Sequence, residues 1–566
     1  MKYTKSTDKG ILAGMIVLSM IAVLLIIRAH YGMDVTDETL YLAMAKRFAE
    51  GDMIFKDEWN TCQLFGLLLA PFYKGYVWMH GNNEGILLFS REMFVAVTLV
   101  ISCFAFRILY DYTKNLAESL IIAACLLMYV RGNIITFSYY SVAQICFILA
   151  IFLWIQGEKS RNIFCVFSGI SYAIAVVSMP YLAGIFLLIL FCEIWCHLKK
   201  DERRYKIDKF IVGVIIAAGI FFIVYGKWIP WKHITEYLPY VFQDPAMEHE
   251  GILGELMSVA KYFTTVFLKY TWWLYLFTLL SCIFLKKRKK EVKIVLLLEF
   301  FLQAFYLRTY FEGGILIGIF LLAVQLSMLD SFAGRKEWIN YFVIPGMIYA
   351  LLWIIGSNVG ERVMNMGFLI ADIWAIDVTW NSYTQEGNYI KITKRICVLW
   401  LLGILGVIRF LDVYRDGTIS GLATKVKTGA YQGIYTEENR VKAYENTVNL
   451  IREQTDSSDK MVVVGRNPWV YLETKARCVA YTAWNIQGED VVAEVYYNFF
   501  PEKLPNIIMT VDPEIQTYKN WRFSSHGSGM QTGETVYPEG VYKKIMQDGQ
   551  WNEIYAGKSI LYKKSE

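Results

Sequence analysis

Residues 11–27, ILAGMIVLSMIAVLLII, together with the RAHYGMDVTDE that follows at 28–38, decide the fold class of this chain. A helix needs about 20 mainly apolar residues to cross a bilayer, and the first segment has close to that length. Lys2, Lys5 and Lys9 precede the run, and no small-residue cleavage site follows it. We therefore expect a retained membrane anchor and not a removed signal peptide.

The composition of the whole chain extends this interpretation. Of its 566 residues, 55% are hydrophobic and 16% aromatic, whereas only 19% are charged. An ordinary soluble chain carries about 25% charged residues, and a disordered one combines low hydrophobicity with high net charge. A net charge of +5 at this length gives no reason to expect nucleic-acid binding. The sequence therefore predicts an integral membrane protein.

Apolar runs recur through the first 412 residues. Further candidate spans begin near Arg91, Asn115, Ser138, Ile163, Tyr181, Phe210, Tyr262, Val292, Gly314, Tyr341, Met364 and Ile396. With the first anchor they predict a polytopic α-helical membrane protein with about 13 spans.

The distribution of Lys and Arg orients these spans. Residues 199–209 and 286–293 are dense in basic side chains, as expected of cytoplasmic loops, which places the N-terminus in the cytoplasm. The first outer loop, 29–90, and a second outer loop, 227–261, then lie outside. The weak point is the span at 364–379, which contains two aspartates. If that segment does not cross, the C-terminal part is cytoplasmic.

Residues 413–566 have the pattern of a small soluble α/β domain, outside the membrane in the predicted topology, next to a membrane domain at 1–412. Thr436 is a candidate N-cap for a helix with apolar positions at Val441, Tyr444, Val448 and Ile451. Residues 461–464 and 507–511 are typical of buried strands, and residues 555–559 of a hairpin turn.

The first outer loop contains the strongest candidate for a functional site. Asp34, Asp37 and Glu38 stand before a predicted helix over 38–50, whose apolar spacing indicates an amphipathic helix on the outer membrane face. Acidic groups in a first turn also interact favourably with the helix dipole. Simple capping by Thr36 and Asp37 therefore explains these residues as well as catalysis does.

The wider loop resembles the first luminal loop of the GT-C glycosyltransferases, in particular the bacterial protein-mannosyltransferase-like type related to dolichyl-phosphate-mannose mannosyltransferases and aminoarabinose transferases. The resemblance consists of an acidic pair, Asp37-Glu38, an aromatic at Tyr41, then a glycine, an Asp-x-Trp at 57–59 and a proline at Pro71. The N-terminal anchor, the many spans and the soluble tail are similar too.

The resemblance implies transfer of a hexose or pentose from a polyprenyl-phosphate donor to a hydroxyl of a glycan, lipid or protein, with inversion, outside a bacterial plasma membrane. A carboxylate must accept the acceptor's proton at an oxocarbenium-like transition state. Asp37 is the candidate base, Glu38 the supporting acid and Asp34 the substitute.

The leaving phosphate needs a cation, and other side chains must contact the sugar. Candidates for the phosphate lie at outer ends of spans: Arg131 and Arg308 first, then Arg91, Lys227 and Lys232. Candidates for substrate contact are Tyr41, Asp57, Gln63, Tyr139, Tyr140, His249 and Asn358. Snorkelling to headgroups accounts equally for the cations. No metal-ligand spacing is present, so no metal site is assigned, although a divalent ion remains compatible with the resemblance.

Two other classes stay open. A secondary transporter or flippase needs ionisable groups inside the membrane, and Glu193 and Glu299 lie within apolar runs. A non-catalytic receptor would use the C-terminal domain to bind its ligand. Loss of activity on substitution of Asp37, against dependence on Glu299 or Glu193, separates the enzyme from the transporter.

Overall fold

The fold is mostly helical, with a small sheet region near the C-terminus. The computed structural model describes residues 2–199, 204–241, 251–264, 272–285, 288–306, 311–330, 334–356, 364–381, 386–484, 490–520 and 529–565. This agrees with the predicted fold class at the level of a helical protein with a C-terminal mixed region.

The N-terminal half of the chain contains ten helices in the described ranges. These are α1 (Lys2–Ala29), α2 (Asp37–Glu50), α3 (Gln63–His80), α4 (Ile86–Thr113), α5 (Leu116–Met128), α6 (Tyr139–Lys159), α7 (Ile163–Ser178), α8 (Ala183–Lys199), α9 (Arg204–Tyr225) and α10 (Ile234–Val241). A short 3-10 turn, Arg131–Asn133, joins α5 to α6.

The helical part continues to residue 411. Its helices are α11 (Gly251–Phe263), α12 (Trp272–Phe284), α13 (Lys289–Tyr306), α14 (Phe311–Leu329), α15 (Lys336–Trp338), α16 (Ile344–Gly356), α17 (Asn365–Trp380) and α18 (Asn388–Leu411).

Six helical segments of the described chain are long and apolar enough to cross a membrane. They are Lys9–Ala29, Ile86–Thr113, Tyr139–Lys159, Pro180–Lys199, Lys206–Trp228 and Lys336–Gly356. Shorter apolar helices are Leu116–Met128, Ile163–Ser178 and Gly314–Leu329. These helices are compatible with a membrane protein, while the total of about 13 spans stays a prediction.

The C-terminal region combines four helices with nine short strands. The helices are α19 (Glu438–Gln454), α20 (Val470–Glu473), α21 (Asp490–Phe499) and α22 (Gly540–Gln547). The strands are β1 (Thr424–Lys425), β2 (Tyr435–Thr436), β3 (Lys460–Val463), β4 (Arg477–Cys478), β5 (Ile507–Thr510), β6 (Tyr518–Asn520), β7 (Gly529–Gln531), β8 (Trp551–Ala556) and β9 (Ser559–Lys564).

Five of these strands form one mixed sheet in the order β4-β3-β5-β9-β8. β3 is parallel to β4 and to β5, whereas β5 and β8 are antiparallel to β9. The two predicted strands correspond to β3 and β5, and the predicted turn joins β8 to β9. Continuous apolar runs are typical of strands covered on both faces, and every residue of β5 is buried.

The predicted N-cap at Thr436 is wrong. Thr436 belongs to β2, and helix α19 begins two residues later, after Glu437. The Thr436 hydroxyl instead donates to the carboxylate of Asp416, at 2.8 Å from Oδ2. The hydroxyl therefore stabilises the segment after α18 and not a helix terminus.

Helix α2 is not a surface helix on the membrane face, contrary to the sequence prediction. Its residues from Glu38 to Phe48 are all buried. The ammonium of Lys46 donates to the carbonyls of Tyr471 at 2.7 Å and Thr474 at 2.5 Å, so the C-terminal region covers the helix face that the sequence assigns to solvent. One hydrophobic core includes residues of the first outer loop and of the C-terminal region.

Candidate functional site

The N-terminus of α2 is held by Asp34. Its Oδ1 accepts hydrogen bonds from the Thr36 amide at 3.1 Å and the Thr36 hydroxyl at 2.6 Å. Its Oδ2 accepts one from the amide of Glu38 at 2.7 Å. Asp34 thus satisfies a free donor of the first turn, the task of a capping residue. Burial, with the charges of Asp37 and Glu38 adding to it, raises the pKa of Asp34 to about 7.

Glu38 points into the protein and joins three segments. Its Oε2 accepts from Arg91, with Nε at 3.1 Å, and its Oε1 accepts from the backbone amide of Ile135 at 3.0 Å. Arg91 also donates to the carbonyls of Ala29 and Gly32, each at 2.8 Å. Both partners of the ion pair are buried. Glu38 and Arg91 therefore use their polar atoms to hold α1, α2 and α4 together.

Asp37 is the acidic residue of this cluster that solvent reaches. Its side chain is 19% exposed and forms an ion pair with Arg415 Nη1 at 3.0 Å. The hydroxyl of Tyr414 donates to the same carboxylate oxygen, Oδ2. Oδ1 faces neither of these groups in the recorded contacts. Asp37 therefore combines access with a fixed orientation.

The turn after α5 brings a second cation to the same place. Gly132 has a φ of 58°, a left-handed conformation that favours glycine, and it turns the chain so that the Arg131 guanidinium lies 3.9 Å from the Tyr140 ring centre. Burial lowers the pKa of Arg131, but the phenols of Tyr140 and Tyr139 and the charge of Asp37 outweigh it and raise the pKa overall. Arg131 therefore lies within the electrostatic reach of Asp37.

Aromatic rings connect this cluster. The Tyr139 ring lies 5.8 Å from Tyr41 and 3.9 Å from Tyr140, measured between ring centres. A capping box between Ser138 and Ser141 fixes the start of α6, and with it the positions of both tyrosines. The structure thus brings together five residues selected from the sequence: Asp37, Tyr41, Arg131, Tyr139 and Tyr140.

A cleft extends from Tyr139 between the first outer loop and the helical part. Its lining includes Thr61, Cys62, Pro180, Tyr181 and Trp353. It opens beside α8, where Leu187 and Phe191 are exposed. The cleft is aromatic and apolar, and the charged cluster lies on the other side of Tyr139.

Other selected residues have local structural contacts. Asp57 accepts from the amide of Met53 at 2.7 Å and pairs with Lys503 at 3.0 Å. Gln63 Oε1 accepts from the amide of Phe55 at 2.5 Å. These side chains shape the turn between α2 and α3.

The remaining candidates are of two kinds. Lys227 and Lys232 are exposed, and the Lys227 ammonium lies 4.0 Å from the ring centre of Trp228, consistent with an interfacial position. Arg308, His249 and Asn358 lie outside the described residues.

Sequence reasoning missed Tyr414 and Arg415. They are 377 and 379 positions from the residues they contact, Asp37 and Thr36. One signal was available: they follow the last apolar helix, which ends on the same side as the first outer loop in the predicted topology. The boundary at residue 413 assigned them to the soluble region instead.

In chemical terms the cluster offers an accessible carboxylate between two guanidinium groups, next to an aromatic cleft. Within the described residues, no group of three or more His, Cys, Asp or Glu side chains is arranged to hold a metal ion. The sequence matches no protein-family model, and a comparison with curated proteins finds no match. The function therefore has to be argued from the geometry of the cluster.

Proposed function

We propose that this protein is a GT-C-like membrane glycosyltransferase that moves a sugar from a polyprenyl-phosphate donor to an acceptor hydroxyl, with inversion at the anomeric carbon. The observation that carries the proposal is the position of Asp37. Its carboxylate is accessible and oriented by Tyr414 and Arg415, whereas the carboxylates of Asp34 and Glu38 are buried and hydrogen-bonded.

The chemistry balances without a further reactant. The acceptor oxygen attacks the anomeric carbon while its proton passes to the Asp37 carboxylate. The bond between that carbon and the phosphate oxygen breaks, and its electron pair leaves with the polyprenyl phosphate. A positioned base of this kind contributes about 10²–10⁴-fold to the rate.

The leaving phosphate gains negative charge, which preorganised cations stabilise. Arg415, 3.0 Å from Asp37, and Arg131, within electrostatic reach of it, are suited to this task. Arg91 is not, because Glu38 and two backbone carbonyls already occupy its guanidinium. The aromatic cleft beside Tyr139 suits the first isoprene units of the donor.

The predicted topology is part of the proposal: about 13 spans, a cytoplasmic N-terminus, and a C-terminal region outside a bacterial plasma membrane. The six long apolar helices support a membrane location. The Tyr431 hydroxyl donates to the backbone carbonyl of Asp34 at 2.7 Å, so the C-terminal region and the first outer loop share one side.

Sugar transfer by purified protein tests the proposal. The protein is supplied with radiolabelled undecaprenyl-phosphate hexoses and pentoses and with a membrane extract as the source of acceptor. Asp37→Asn should abolish transfer at an unchanged melting temperature, and Glu438→Gln, on an exposed face of α19, should not affect it. Transfer that survives in Asp37→Asn would remove Asp37 as the base, and no transfer by the wild type would reject the function.

A transporter or flippase is the second candidate, and Glu299 is the observation that favours it. Its carboxylate is buried in α13, where it accepts from Thr278 at 2.5 Å and from Gln303 at 3.2 Å. Buried carboxylates inside a membrane often serve ion coupling. Glu299→Gln should then abolish lipid or solute movement in proteoliposomes, while Asp37→Asn should leave it intact.

A further inference from the structure

The C-terminal sheet contains a feature that the proposed catalytic cluster does not use. From β3 the chain first continues to β4 on one side and then to β5 on the other, and all three strands are parallel. In open α/β sheets, ligands bind outside the carboxyl ends of the strands at such a reversal of strand order. Here the crevice lies between residues 464–469 and 511–516.

The carboxyl ends of these strands face the segment that carries Asp37. After β4, the carbonyl of Tyr481 accepts from the Trp59 amide at 2.8 Å, and the Ala483 amide donates to Glu58 at 3.0 Å. After β5, Arg440 donates to the carbonyls of Ile515 at 2.7 Å and Met33 at 3.0 Å. The strand ends are therefore fixed against the first outer loop.

Tyr518 provides a further link to the catalytic cluster. It follows the loop after β5 and starts the next strand, β6. Burial raises the pKa of its phenol, and the charges of Arg415 and Asp37 also act on that group. The crevice at the strand ends and the carboxylate of Asp37 are thus connected through one short segment, 512–518.

The crevice presents groups that suit a charged saccharide. Arg466, directly after β3, is exposed, and its guanidinium lies 5.5 Å from the ring centre of Trp484. No carboxylate of the described residues forms an ion pair with it. Asn467 accepts a hydrogen bond from Gln516 at 2.9 Å and so joins the two loops. Guanidinium groups bind carboxylates and phosphates in a bidentate manner.

A small cavity beside Trp484 adds an independent observation. Its lining includes Trp59, Asn60, Tyr240 and Thr482, with the Trp59 and Tyr240 rings stacked 5.2 Å apart. The indole nitrogen of Trp59 is buried and has no hydrogen-bond partner among the described residues. Buried donors are normally satisfied, so an unused one beside a cavity indicates a ligand group.

We infer that the crevice at the carboxyl ends of β3, β4 and β5, with Arg466 and Trp484 as its recognition residues, binds the acceptor, and that this acceptor is an acidic saccharide. The word acceptor rests on the proposed function. The binding of an acidic saccharide does not, because it is measured without any transfer.

Binding of defined oligosaccharides to the full chain in detergent tests the inference. The probes are a hyaluronan tetrasaccharide and a glycerol-phosphate trimer, both acidic, and chitotetraose, which is neutral. We expect Arg466→Gln to weaken binding of the acidic probes about tenfold, as loss of a charge-assisted contact does. Trp484→Ala should weaken all saccharide binding.

Arg477→Gln is the matched control. Arg477 is an exposed arginine of the same sheet, but it pairs with Lys460 at the amino end of β3. Its substitution should leave binding unchanged. The inference is overturned if neither acidic probe binds, if chitotetraose binds as tightly as they do, or if the two arginine variants behave alike. Acidic binding without sugar transfer by the wild type would reject the proposed function and keep this site.

Discussion

At the scale of single residues, three neighbouring carboxylates have three different surroundings. Asp34 caps a helix, Glu38 pairs with a buried arginine, and Asp37 reaches solvent beside Arg415. Their chemistry is the same, so the difference lies in burial and in the donors that each one meets. Substitutions at the three positions should therefore have three different consequences.

The environment of Asp34 predicts a pH dependence of stability. Its pKa in the folded protein is about 7, against about 3.9 in an unfolded chain. Between these values the native state binds the proton more tightly, so the free energy of unfolding falls as the pH rises, by at most about 1 kcal/mol per pH unit. Melting temperatures between pH 5 and 7 should therefore decrease less in Asp34→Asn than in the wild type. Parallel curves for the two proteins would contradict the assignment.

Arg415 predicts a loss of rate with little loss of stability. Its side chain is 24% exposed, and it faces the carboxylate of Asp37. Removal of one preorganised donor to a developing charge costs about 10²–10³ in kcat. We expect Arg415→Gln to lower kcat to this degree, Arg415→Lys to lower it less, and both to melt near the wild type. An equal loss in Lys232→Gln, an exposed lysine of the second outer loop, would argue against a specific role.

At the scale of elements, the Glu38–Arg91 ion pair connects α2 to α4. Removing one partner of a buried pair leaves an uncompensated charge and costs about 3–5 kcal/mol. Glu38→Gln should therefore lower the melting temperature strongly, and the double variant Glu38→Met, Arg91→Met should lose less than the sum of the two single variants. Additive losses in this double-mutant cycle would show that the two side chains act independently.

Sequence patterns predicted the elements that depend on local periodicity. Helix α2 and the strands β3 and β5 were found because apolar spacing and continuous apolar runs are properties of short segments. The surroundings of α2 were not found, because the residues that cover it lie more than 400 positions away. Long-range packing overrides an amphipathic pattern without leaving a signal in that pattern.

Charge counting had the same limitation. Arg335 and Lys394 were counted among the basic residues of cytoplasmic loops, yet both take part in ion pairs within the fold. Lys394 pairs with Glu386, itself buried, and Arg335 with Glu118 at 3.0 Å and with Asp377. A basic residue in a loop indicates topology only where no acidic partner neutralises it, and a single sequence does not display those partners.

At the scale of the whole molecule, the first outer loop and the C-terminal region share one core, and Lys46 shows how closely. Its buried ammonium donates to two carbonyls of the region that contains α20. Lys46→Met leaves both carbonyls without this donor, and each unsatisfied group costs about 1–3 kcal/mol. We expect faster proteolysis within residues 413–566 and a lower melting temperature. Lys74→Met, on an exposed part of α3, should change neither.

The contact between the two regions also makes the topology testable in one experiment. Single cysteines are introduced at Lys232, Lys475 and Lys289, all exposed, into a cysteine-free protein. Because the first outer loop and the C-terminal region touch, positions 232 and 475 should react with a membrane-impermeant maleimide in intact cells. Position 289 starts α13 in the predicted cytoplasmic loop and should react only after the membrane is opened. Labelling of 475 together with 289, and not with 232, would place the C-terminal region in the cytoplasm and remove it from any reaction outside the cell.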